Sequence, residues 1–250
     1  MSRPLGRRVI GVGLKMYLDH HDTLRWAHRL GGAVEGHPAL ADGSTTLVVL
    51  PTFPSLVEAR TLIADKAVSI GAQNVAADDR GAFTGEVSGV ELRQIGCEFV
   101  EIGHAERRRH FGEGDELLAR KCGAAWRNGL VPIVCVGEQV RVGPDAAADE
   151  CVRQLRAITG GGSSGKKLVV AYEPVWAIGA SRPASNDHIR HVCAALRTSV
   201  DADAARVIYG GSARPGMLGE LGGAVDGLFL GRSAHDVRAV AAVLDECLSQ

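Results

Sequence analysis

Three residues that each follow an apolar run have the side chains needed to move a proton on carbon: Lys15, His104 and Glu173. The runs are short, respectively Val9–Gly13, Phe99–Gly103 and Leu168–Tyr172. A carboxylate such as Glu173 can take a proton from a carbon next to a carbonyl. A histidine donor and a lysine ammonium can stabilise the enediolate that forms. Glu106, two residues beyond His104, adds a second acid. Two glycine-rich segments, Tyr209-Gly210-Gly211-Ser212 and Leu230-Gly231-Arg232-Ser233, offer backbone N–H groups of the kind that hold phosphate. The set suits a proton shift between adjacent carbons of a small phosphorylated sugar and requires neither metal nor cofactor.

Each residue also has a plainer reading. Glu173 can cap the next element, Lys15 can be a solvated strand end and His104 a satisfied core residue. Gly210-Gly211 can be a tight turn, and Glu106-Arg107 a structural ion pair. What favours chemistry is their arrival together, which depends on the elements that carry them.

Those elements alternate. Leu47–Leu50, Val68–Ala72, Val131–Val136, Arg206–Tyr209 and Gly227–Leu230 join the three runs above to make eight. Most are continuously apolar, as strands covered on both faces are. Helix patterns fall at His21–Leu30, Glu116–Trp126, Ala146–Ile158 (with Pro144 or Asp145 at its start), Asn186–Ser199 (with Ser185 or Asn186 as cap) and Val237–Leu248. Eight strand–helix units in 250 residues predict an α/β fold, a (β/α)8 barrel forming one domain over residues 1–250. An open doubly wound sheet is the alternative, but no dinucleotide fingerprint follows the first strand. In a barrel all strand C-termini share one mouth, so the candidate residues meet there.

Composition narrows the partners. Twenty-eight basic residues face 29 acidic ones, for a net charge of −1, which gives no reason to expect nucleic acid or an anionic membrane. No apolar run has the length of a membrane span, and the basic N-terminal segment leads into a short strand pattern with no signal-peptide region. None of the six cysteines forms a C-x-x-C pair; they read as small core residues in a reducing, cytoplasmic setting. Gly160–Gly165 reads as a flexible connector without the Lys-Ser/Thr of a phosphate loop. Asp19-His20-His21-Asp22 has metal-ligand residue types but reads as a helix start, and His188 and His191 read as surface or groove residues.

Several motifs together resemble the triosephosphate isomerase family: Ala171-Tyr172-Glu173-Pro174-Val175-Trp176-Ala177-Ile178-Gly179, Gly103-His104-Ala105-Glu106-Arg107-Arg108, Gly71-Ala72-Gln73-Asn74, Gly81-Ala82-Phe83-Thr84-Gly85-Glu86 and Tyr209–Ser212. The resemblance spans almost the whole chain and implies the TIM barrel. It also implies roles: Glu173 as base, His104 as neutral electrophile (a worked case of pKa tuning in this family), Lys15 holding phosphate and substrate oxygen, and Glu106 as a neighbouring acid. Residues 177–184 would be a lid, with Gly179 giving an N–H to phosphate and Ser212, Gly231 and Arg232 completing the phosphate site. Residues 81–86 resemble a loop that enters a neighbouring subunit. A homodimer is thereby implied, in which Thr84 touches the partner's site and Glu86 pairs with the partner's Arg107.

The chain departs from the family at specific places. Gly13-Leu14-Lys15 stands where Asn-Trp-Lys is expected, Gly231-Arg232-Ser233-Ala234 where the eighth strand usually ends Gly-Gly, and Arg182-Pro183-Ala184 where a more flexible lid end is usual. A glycine at 13 makes room beside the reacting carbon. The departures resemble the erythrulose-phosphate isomerase branch, whose members interconvert L-erythrulose 1-phosphate and D-erythrulose 4-phosphate. Two alternatives stand beside this: an ordinary triosephosphate isomerase of glycolysis, and a phosphate-binding barrel without catalysis.

Overall fold

The computed structural model describes residues 4–63, 66–161, 164–179 and 183–249. Eight parallel strands close on themselves in sequence order: β1 (Arg8–Gly13), β2 (Thr45–Leu50), β3 (Val68–Ala72), β4 (Phe99–Ile102), β5 (Val131–Val136), β6 (Leu168–Tyr172), β7 (Ala205–Tyr209) and β8 (Gly227–Leu230). Closure is made by β1, which pairs with β2 through Gly13 and Leu50 and with β8 through Val12 and Leu230. The helices are α1 (His20–Val34), α2 (Pro38–Ala41), α3 (Leu56–Ile63), α4 (Gly89–Gln94), α5 (Ala105–Phe111), α6 (Asp115–Arg127), α7 (Pro144–Thr159), α8 (Asn186–Thr198), α9 (Met217–Leu221) and α10 (Val237–Leu248). This is the (β/α)8 barrel expected.

Strand periodicity explains what reaches the mouth. Side chains alternate across a strand, so every second residue enters the barrel. Val9, Val48, Leu50, Phe99, Val131, Ile133, Cys135, Val169, Ala171, Ile208 and Phe229 form the inner cluster. The intervening residues, such as Ile10, Val12, Val170 and Tyr172, pack outward under the helices. Continuing the inward phase by two residues gives Glu173 after Ala171, Gly137 after Cys135, Gly210 after Ile208 and Gly231 after Phe229. On β1 the same phase runs Val9, Gly11, Gly13, Lys15.

Local signals set the helices. Asp19 caps α1 by accepting from the Asp22 N–H, and this is what the Asp19–Asp22 segment does. Ser185 caps α8 and Asp236 caps α10 in the same way, each such cap contributing about 1 kcal/mol. Pro144 opens α7. The helix expected to stop at Leu30 runs to Val34 through Gly31 and Gly32. Gly31 sits against α3, where a β-carbon would come 3.2 Å from the Leu62 carbonyl oxygen, so this glycine serves close helix packing and does not end the helix. All six cysteines are buried and unpaired. Among the described residues no helix is long and apolar enough to cross a membrane. Part of the Gly160–Gly165 connector and residues 180–182 of the expected lid, Arg182 included, lie outside the described residues.

Candidate active site

A cavity of about 440 Å³ opens at the C-terminal ends of the strands. Gly13, Lys15, His104, Glu106, Glu173 and Gly231 all line it. The chemistry-bearing residues picked out by type and spacing therefore do share one mouth.

Glu173 is held in place from both sides. Its backbone N–H donates to the Val136 carbonyl at 2.9 Å. A β-carbon on Gly137 would overlap the Glu173 carbonyl oxygen, and one on Gly210 would lie 2.5 Å from Oε1. Neighbouring strands thus supply glycines where the carboxylate and its backbone must pass. The carboxylate is buried, and its Oε2 stands 3.3 Å from Nε2 of His104.

His104 follows Gly103, whose φ of +76° turns the chain from β4 into α5. Its ring caps α5: Nδ1 accepts the Glu106 N–H at 3.1 Å. A nitrogen that accepts a backbone N–H carries no proton, so the ring is the neutral Nε2–H tautomer. That proton faces the cavity and Glu173.

Lys15 has a left-handed backbone, φ +52°, which costs a residue bearing a β-carbon about 1–2 kcal/mol. Gln73 holds it there. The Gln73 amide donates to the Lys15 carbonyl at 3.0 Å and to the Leu50 carbonyl at 2.9 Å. The ammonium reaches Glu106 Oε1 at 2.6 Å. Burial works against charge on Lys15, but the Glu106 hydrogen bond and the fields of Glu106, Glu173 and Glu101 outweigh it and raise its pKa. Burial likewise opposes ionisation of Glu106, while Lys15 and then His104 draw its pKa below the usual carboxylate value. Both partners shift toward the ionised pair.

Glu106 is therefore tied to Lys15, which corrects the reading of Glu106 and Arg107 as an ion pair with each other. Arg107 donates to Glu113 at 2.6 Å and lies 4.4 Å from the Phe111 ring centroid. Glu113 also receives the buried Lys121 ammonium at 2.6 Å.

The remaining expected residues stand outside the cavity lining. The Ser212 hydroxyl donates to the Ala177 carbonyl at 3.2 Å, tying the turn after β7 to the start of the expected lid segment. Gly179 has φ +70°, and the exposed Arg232 guanidinium is 3.7 Å from where its β-carbon would be. Arg232 begins a single 3₁₀ turn, Arg232–His235, that follows Gly231. Thr84 and Glu86 sit on a loop, residues 81–86, that is exposed throughout.

Sequence reasoning placed His188 on a surface or in a groove; the structure shows it packed inward. Its Nε2 lies 3.1 Å from Oε1 of the buried Glu138, which also accepts from Trp176 Nε1 at 2.7 Å and from the Tyr172 hydroxyl at 3.2 Å. Glu138 follows Gly137, the residue after β5, so it anchors the Trp176 turn at the root of the expected lid segment. His191 does remain on the surface, 2.8 Å from Asp145.

Among the lining residues to which sequence reasoning gave no role are Gln73, Glu101 and Phe229. Gln73 was visible in a motif but without a role. Glu101 was visible as an acid inside an apolar run. Phe229 bears on the room expected at Gly13. Its ring Cζ comes 3.5 Å from the position of a β-carbon on Gly13, so the aromatic ring takes up part of the space left by the missing side chain. The wall at residue 13 is open for one atom, then aromatic.

Barrel, buried carboxylate, neutral imidazole and fixed ammonium define an acid–base enzyme that handles a small anionic substrate at its strand ends. Comparison with known proteins names the group. The triosephosphate isomerase family model matches residues 8–247. A protein of Pectobacterium atrosepticum named L-erythrulose-1-phosphate isomerase is 49% identical over 96% of each chain. One of Rhizobium etli with the same name is 38% identical over 94% of this chain and 90% of its own. A triosephosphate isomerase of Mycobacterium avium is 38% identical over 97% of this chain and 98% of its own. The chain belongs to the triosephosphate isomerase family and is an isomerase, which leaves the non-catalytic binding barrel without support.

Proposed function

We propose that this isomerase interconverts L-erythrulose 1-phosphate and D-erythrulose 4-phosphate. The observation that carries the reading is an intact Lys15–His104–Glu173 set around a cavity whose wall at Gly13 bears no side chain. The 49% identity to a protein of that name supports it. The reacting carbon of a triose bears a second hydrogen where that of the tetrulose bears a hydroxymethyl group.

The substrate carbonyl oxygen at C2 takes hydrogen bonds from His104 Nε2–H and the Lys15 ammonium. Glu173 removes the proton from C3, and the electron pair moves to the C2 oxygen as an enediolate. His104 Nε2–H supplies a proton to that oxygen and takes one back from the oxygen on C3. Glu173, now protonated, returns its proton to C2. The carbonyl is then at C3, and the product, numbered from its other end, is D-erythrulose 4-phosphate. Glu106 holds Lys15 in place. The phosphate is held by backbone N–H groups near Gly231 and Gly179, with Ser212 and Arg232 at the edge. The segment that begins at Ala177–Gly179 closes over it.

A homodimer fits the exposed loop 81–86, whose Phe83 is 49% exposed, and a second exposed apolar side chain on the chain, Met16 at 90%. Thr84 would then meet the partner's site and Glu86 the partner's Arg107. Buried free thiols fit a cytoplasmic setting. A second reading, triosephosphate isomerase of glycolysis, draws on the 38% identity to the Mycobacterium avium enzyme.

Nuclear magnetic resonance of L-erythrulose 1-phosphate in deuterium oxide tests the proposal. The expected result is D-erythrulose 4-phosphate with deuterium on the carbon that gained the proton. No conversion, with dihydroxyacetone phosphate converted under the same conditions, would move the second reading to the front.

A further inference from the structure

Glu101 is the one acidic residue within the eight strands. It shares the inward phase of β4 with Phe99 and sits beside an interior of Val, Leu, Ile and Phe side chains. A valine or isoleucine there would pack the barrel at no polar cost, whereas a buried carboxyl must be compensated. The compensation within the chain is slight. Its hydrogen bond among the described residues is from Cys135 Sγ at 3.6 Å, a weak donor. Among the described residues no cation pairs with it directly: Lys15 is engaged by Glu106, and His104 Nε2 points to Glu173. Yet Glu101 lines the same cavity as Gly13, Phe229, His104 and Glu173.

We propose that Glu101 is a specificity-determining residue whose carboxyl hydrogen-bonds the terminal hydroxyl on the substrate's fourth carbon. The inference rests on the tetrulose reading above. The hydroxymethyl group is attached to the carbon that Glu173 deprotonates, so it enters the cavity beside Glu173 and away from the phosphate end. The cavity lining includes the bare Gly13, the apolar Phe229 ring and the Glu101 carboxyl, and of these three only the last can hydrogen-bond it. A hydroxyl both donates and accepts. Burial, together with the neighbouring Glu173, pushes the Glu101 pKa up against the fields of His104 and Lys15. A neutral carboxylic acid offers one O–H donor and one carbonyl acceptor, the complement of a hydroxyl. A triose has no group to fill that partner, which would leave Glu101 unsatisfied and bias the site against it.

The test compares kcat/KM on L-erythrulose 1-phosphate and dihydroxyacetone phosphate for the unmodified enzyme, Glu101→Val, Glu101→Met and Glu101→Gln. The expected result is that Val and Met lower kcat/KM on the tetrulose about 100-fold and leave the triose within about threefold. Gln, which keeps a donor and an acceptor, should retain the tetrulose rate within about tenfold. Met preserves length should the smaller Val fail to fold. Equal losses on both substrates overturn the proposal, because Glu101 would then act on the shared machinery; so does an unchanged substrate ratio. The unmodified enzyme reads the tetrulose assignment alone. If it does not turn over the tetrulose, that assignment fails, and this inference fails with it.

Discussion

His104 Nε2 and Glu173 Oε2 face each other at 3.3 Å across the floor of the cavity, one presenting a proton and the other able to take one. The relationship is set at the other side of the ring, where Nδ1 accepts the Glu106 N–H. Acid and base are therefore assigned by the backbone of α5. Replacing His104 by Gln keeps a donor but loses the fixed ring, and turnover should fall by about 10²–10⁴-fold. Steady-state kinetics checks this, with an unchanged thermal midpoint showing that the barrel survives.

Glu173→Asp withdraws the base by about one methylene and should lower turnover by orders of magnitude. Gly210→Ala should do similar harm from a neighbouring strand, since its β-carbon would stand 2.5 Å from Oε1. If Gly210→Ala keeps full kcat, the carboxylate position seen here is not the reactive one.

Gly13→Asn tests the wall beside the reacting carbon. A β-carbon fits in ordinary contact with Phe229, but the amide beyond it must displace the ring. Gly13→Asn alone should depress turnover of the tetrulose. Combined with Phe229→Leu it should shift the ratio of rates toward the triose. A ratio unmoved by the double change would mean that residues 13 and 229 do not set substrate size.

The strained Lys15 backbone leads to a prediction about Gln73. Gln73→Met removes both donors that hold the Lys15 and Leu50 carbonyls, and should cost about 1–3 kcal/mol of stability as well as activity. Urea unfolding monitors the first and kinetics the second. Loss of activity without loss of stability would separate the clamp from the fold.

Glu101 gives a pH dependence of stability with a definite sign. Its folded pKa is raised above the ordinary 4.5, chiefly by burial, so between those two values the folded state holds a proton that the unfolded state has lost. Its contribution to stability must therefore fall as pH rises through that window. Glu101→Gln, which does not titrate, should flatten the slope there. Unfolding midpoints measured across the window compare the two proteins; parallel curves would place the Glu101 pKa near its unfolded value.

Much of this was legible in the sequence, because a parallel barrel writes its strands as unbroken apolar runs and delivers their last residues to one place. Lys15, His104 and Glu173 could be read for that reason. What escaped was side-chain commitment across the barrel. Glu106 lies next to Arg107 in sequence but bonds Lys15, 91 residues away, and Glu138 gathers His188 from 50 residues away. The space at Gly13 could be inferred from the glycine, but not that Phe229 on the adjoining strand fills part of it. Glu101 could be placed at the end of the fourth strand, but nothing in its apolar surroundings gave it a role at the cavity.

The central claim is the choice of substrate, and a side-by-side turnover assay on L-erythrulose 1-phosphate and dihydroxyacetone phosphate tests it most directly. The account predicts that kcat/KM for the tetrulose exceeds that for the triose by orders of magnitude. A triose rate near the diffusional ceiling of about 10⁸–10⁹ M⁻¹s⁻¹, with a slower tetrulose rate, would contradict it and return the enzyme to triose chemistry.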